Sequence, residues 1–156
     1  MFDVVQLRND LIKPALIDLV MFSEEALELL VFTCAVESRG GTYLKQVKGP
    51  ALGIYQMEPE NHNDIWQNYL PYRKNILMVL LSNFGCNVRP DEDRLIYDLR
   101  YATAMARIHY ARVDSKLPAP NDIDSIWWYY KQYYNTPSGS AQKGEAISLY
   151  QRLIAG

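Results

Sequence analysis

Between Ser23 and Val36 the chain is almost uninterrupted in helix-forming and apolar residues: Ala26, Leu27, Leu29, Leu30, Val31, Phe32, Cys34, Ala35 and Val36. A helix that is apolar on nearly every side has to be enclosed by the rest of the protein, so the fold must be built around it. Ser23 can cap its first turn, and Glu24 and Glu25 suit the positive end of its dipole. Glu37-Ser38-Arg39-Gly40-Gly41 then stops it, because glycines take up the left-handed backbone that closes a helix.

That position gives Glu37 unusual chemistry. It stands at the negative end of a buried helix with Cys34 and Val36 just behind it. Desolvation and the helix dipole both disfavour a carboxylate there, so its pKa is expected to rise. A carboxyl kept protonated near neutral pH can give its proton to a leaving oxygen. The plainer reading is a solvated last-turn glutamate with no chemical role.

The rest of the chain reads as helices around that centre. Residues 4–13 and 14–20 form short helices separated at Pro14. Residues 44–55 form a short β-hairpin or extended loop beside the central helix end. A polar stretch from Glu58 to Asp64 leads into a short helix closed by Pro71. Residues 73–83 carry Ile76 to Leu81 and read as another core helix, while Asp91, Glu92 and Asp93 open what should be the longest helix, to about Val113. Asn121 or Asp122 caps a densely aromatic helix running to Tyr134, and a last helix spans about 141–154. His62 and Asp64 read as local caps, and His109 as a satisfied, half-buried histidine. The prediction is a mainly α fold, a single domain over 1–156, with no repeat and no linker.

Composition narrows the partners. With 49% apolar residues and 22% charged, the chain can bury a real core. A net charge of −2 offers no electrostatic footprint for nucleic acid or for an anionic membrane. Its 12 Tyr and 3 Trp supply flat, amphipathic side chains that suit polar, carbon-faced ligands such as sugars. Cys34 and Cys86 lack motif spacing and read as free thiols of a protein made in the cytosol. His62 and His109 are too far apart in sequence for a metal motif, so no metal and no cofactor is expected. The start, Met1 to Arg8, is not a secretory signal, and no run approaches a membrane span, so no membrane insertion is expected.

Three fragments carry a resemblance. Glu37-Ser38 is followed sixteen residues later by Gly53-Ile54-Tyr55-Gln56, and Tyr133-Tyr134-Asn135 comes roughly a hundred residues after Glu37. Their order and spacing resemble the soluble lytic transglycosylases of the lysozyme superfamily. In that family a Glu-Ser pair ends a buried helix, a Gly-Leu-Met-Gln segment lines the sugar groove, and a Tyr-Asn-Ala-Gly element lies opposite the acid. The string from Gly49 to Pro59 is similar to the version in bacteriophage muralytic proteins. The chain departs at Tyr55, which stands at the methionine position, and after Asn135, where Thr136-Pro137-Ser138-Gly139 replaces the Ala-Gly ending.

The resemblance implies a lysozyme-like domain that cleaves the peptidoglycan glycan strand between N-acetylmuramic acid and N-acetylglucosamine. Glu37 would be the catalytic acid, with Ser38, Tyr55, Gln56, Tyr134 and Asn135 holding the sugar. Tyr134 would bond near the catalytic carboxyl, and Asn135 would hold the N-acetyl or leaving group. Most glycosidases use two carboxylates, and here the best second candidates, Glu58 and Asp64, sit in polar loops, which favours the single-acid route. A hydrolytic lysozyme on the same scaffold, and a non-catalytic phage tail or baseplate component that binds glycan, remain open alternatives. Without a signal, delivery to the wall would fall to a virion, with tail or baseplate proteins as partners, or to a holin.

Overall fold

The computed structural model describes residues 1–156, and the chain is mainly α-helical with no strands. The central helix, Glu24–Ser38, is the longest regular α-helix. Ser23 caps it, its Oγ accepting the Ala26 N–H at 3.0 Å. Its residues from Ala26 to Ala35 are all buried, as a helix apolar on nearly every side requires. The closing helix Lys143–Ala155, the aromatic helix Ile123–Tyr130, the helix Leu99–Ala111 and the N-terminal helical stretch pack around it.

A charge sits inside this packing. Glu28 on the central helix is buried, with Arg8 at 2.6 Å and the Tyr150 hydroxyl donating to it. Three helices are thereby tied at one point, and the carboxylate's burial is compensated by a cation and a phenol.

Several elements differ from the sequence reading. Pro14 does not start a separate helix: residues 4–18 run on, through a π-helical stretch at Leu7–Ile12. Lys13 N–H bonds to Arg8 C=O, five residues back, and the widened turn admits a proline ring that a regular α-turn would reject. The expected longest helix breaks at Asp98, whose extended backbone separates Arg94–Tyr97 from Leu99–Ala111 and whose side chain caps the latter at Tyr101 N–H. Lys74–Asn83 is helical but is not a core helix: Leu80 alone is buried, while Met78 is 64% exposed. It leans mainly on the turn Leu70–Tyr72, and Ile76, Leu77 and Val79 pack against the core only partly buried.

Beside the central helix end, residues 44–57 make two isolated antiparallel bridges, Lys45 with Leu52 and Leu52 with Met57. Leu52 and Met57 exchange both backbone hydrogen bonds, at 2.9 and 3.0 Å. The chain doubles back too soon for a ladder, so an extended loop forms in place of a hairpin. No helix is long and apolar enough to cross a membrane.

Candidate active site

The end of the central helix is closed by its own side chain. Ser38 Oγ donates to Cys34 C=O at 3.1 Å and accepts the Gly41 N–H at 2.9 Å. Arg39, Gly40 and Gly41 are all left-handed, and a Cβ at Gly41 would strike the Phe2 ring. Ser38 is fully enclosed, so its hydroxyl serves the helix end and faces no groove.

Glu37, one residue earlier, is half-buried and borders a polar groove of about 520 Å³. Gln56, Glu58, Asn61, His109, Tyr134 and Asn135 line the same space. A second cavity of about 230 Å³ lies on the other side and shares Glu37, Asn135 and Ser140 with the first. The carboxyl therefore sits where two lobes of one depression meet. Burial pushes its pKa up to about 7, while the Tyr130 hydroxyl, donating to Oε1 at 2.6 Å, pulls the other way.

Tyr130 stands where the sequence placed Tyr134. Tyr134 donates instead to the Tyr55 carbonyl at 2.6 Å, tying the aromatic helix to the 53–56 segment across the groove. The two rings stack with centroids 6.1 Å apart, so Tyr134 supports the ring that touches the acid. Tyr55 is buried and its hydroxyl pairs with Thr103 at 3.0 Å, so its backbone, not its side chain, belongs to the site. Gln56 borders the groove from a left-handed backbone, its Nε2 donating to Gly53 C=O at 2.9 Å. Gly53, at φ +77°, lies so close to Leu95 that a Cβ would run into that carbonyl.

Tyr134 and Asn135 lie on a π-helical continuation of the aromatic helix, Lys131–Asn135. His109 holds this segment from below, its Nε2–H donating to Tyr133 C=O at 3.1 Å and its Nδ1 accepting from Arg112 at 2.9 Å. Arg112 is in turn paired with Asp64 at 2.8 Å. Burial, then the Arg112 charge, push His109 down to about 4, so it is a neutral imidazole with the proton on Nε2. Asp64 is committed to that pair and to Asn68, and does not border the groove; Glu58 does. His62 is fully buried between Tyr101 and Asn63.

Sequence reasoning missed Tyr130 and the groove position of His109. Tyr130 and Tyr134 are four apart and share a helix face, which was a usable signal for either. No group of three or more His, Cys, Asp or Glu side chains is gathered as a metal site would require. Comparison with known proteins finds no matching family model, no matching curated protein and no matching solved structure. What the site can do therefore rests on its own chemistry: one desolvated carboxyl, able to hold a proton near neutral pH, at the wall of a polar groove.

Proposed function

We propose that the chain is a lysozyme-like lytic transglycosylase acting on the peptidoglycan glycan strand, carried to the wall by a phage particle or a lysis system. The observation that carries this reading is Glu37: desolvated, titrating at about 7, bonded to Tyr130 and bordering the groove. The order of the Glu-Ser, Gly-Ile-Tyr-Gln and Tyr-Tyr-Asn fragments supports it.

In this mechanism protonated Glu37 gives its proton to the bridging oxygen, and the bond from the anomeric carbon to that oxygen breaks. Tyr130 then stabilises the carboxylate it leaves. The muramyl 6-hydroxyl attacks the anomeric carbon and passes its proton to Glu37, which closes a 1,6-anhydro ring and regenerates the acid. General acid–base assistance of this kind is worth about 10²–10⁴ in rate. Gln56 and Asn135, which line the same groove, orient the sugar.

A hydrolytic lysozyme is the second reading, and Glu58 favours it, because a second carboxylate borders the same groove. Mass spectrometry of purified peptidoglycan digests decides between them. Anhydro ends, one water lighter than reducing ends, are expected from the wild type and should be lost with Glu37→Gln. Reducing ends lost with Glu58→Gln would establish hydrolysis. Release of fragments unchanged by Glu37→Gln would overturn both.

A further inference from the structure

The wall that the two lobes share is organised by a cation. Lys131 Nζ lies 2.8 Å from Asn135 Oδ1, 2.7 Å from Gly139 C=O and 3.0 Å from Ala141 C=O. An ammonium has three protons and no acceptor, so all three are spent here, on neutral oxygens and on no carboxylate. The loop is pressed onto the same residue: a Cβ at Gly139 would collide with the side chain and carbonyl of Asn135. Thr136 enters this loop at φ 76°, outside the usual range for a side-chain-bearing residue.

These contacts settle which way the Asn135 amide faces. A group that only donates must meet the amide oxygen, so Oδ1 is turned to Lys131. No protein acceptor takes Nδ2, and Asn135 borders both lobes. We propose that Lys131 is a positioning residue that clamps the 136–141 loop and fixes Asn135 so that its two N–H donors face the groove beside Glu37. The ligand must then offer an acceptor oxygen at that point, an acyl carbonyl being the best match.

This rests on the glycan reading for its ligand but not for its geometry, and the two are tested separately. In a Glu37→Gln background, tri-N-acetylchitotriose is titrated by NMR against chains carrying Asn135, Asn135→Ala and Asn135→Asp. Aspartate keeps the bond to Lys131 while presenting an acceptor where the donor was. It should weaken binding by at least about tenfold, and more than alanine does, with the melting temperature held. Binding by Asn135→Asp equal to or tighter than that of Asn135→Ala would overturn the assignment. Side-chain ¹⁵N relaxation needs no ligand: the Asn135 amide should be rigid in the wild type and mobile in Lys131→Met. Equal mobility in both would refute the role of Lys131, even if no chain bound the sugar; absence of sugar binding throughout would instead sink the glycan reading.

Discussion

Replacing Glu37 with glutamine should make the protein more stable, and only above a definite pH. An unfolded glutamate titrates at its ordinary 4.5, while burial raises Glu37 in the folded chain to about 7. Between those values the folded state binds a proton that the unfolded state has lost, so stability falls as pH rises. The full penalty is in place above about 7. At about 1.36 kcal/mol per pKa unit it amounts to about 3 kcal/mol. Glutamine carries no such penalty, and its amide oxygen can still accept from Tyr130. Chemical denaturation of both chains should therefore agree below about pH 4.5 and diverge by up to about 3 kcal/mol at about pH 8. In melting temperature this is a gain of roughly 6–12 °C for a chain of this size. A stability difference independent of pH, or a less stable glutamine variant at about pH 8, would show that folding does not raise the Glu37 pKa and would remove the basis for its acid role.

Tyr130→Phe removes the donor that favours the Glu37 carboxylate, so the titration of Glu37 should rise, and the alkaline limb of kcat/KM should move to higher pH with it; carboxyl ¹³C NMR and a pH–rate profile check the direction. Ser38→Ala should cost about 1–3 kcal/mol by leaving the Gly41 N–H without its acceptor, measured by denaturation, with KM for glycan unchanged because the hydroxyl faces no groove. Gly53→Ala should destabilise by about 1–3 kcal/mol, since the left-handed backbone and the Leu95 carbonyl both oppose a Cβ, and the effect reads out in the same denaturation curves.

The parts of this fold that were legible in the sequence are those fixed by short-range patterns. The central helix, its Ser23 cap, its stop within Arg39-Gly40-Gly41 (where Arg39, not a glycine, takes the first left-handed step) and the exposure of Glu37 to a desolvating environment all follow from residues within a few positions of one another. The Asp122 cap of the aromatic helix is of the same kind, accepting the Ser125 N–H at 3.1 Å. What failed depended on partners distant in the chain. Lys74–Asn83 has the pattern of a core helix, but a pattern says that an apolar face exists, not how much protein lies against it. The break at Asp98 was hidden because aspartate is a common helix-opening residue and a poor helix-breaking signal.

Tyr130 and Ser38 show how a motif and elementary chemistry can disagree about a site. The fragment Tyr134-Asn135 drew attention to the end of the aromatic helix, yet the turn from Lys131 to Asn135 is π-helical, with more residues per turn than an α-helix. The two rings stack on one face at the entrance to that turn, but the Tyr130 hydroxyl reaches Glu37 while the Tyr134 hydroxyl reaches the Tyr55 carbonyl. No pattern of residue types announces that turn. Ser38 is the opposite case, because its placement was derivable. A serine in the last turn of a fully buried helix, before two glycines, must find hydrogen bonds locally, and the free N–H groups and carbonyls of the helix end are the nearest partners. Its hydroxyl is used there, and that closure holds the backbone under Glu37 while the carboxyl alone stays turned to the groove.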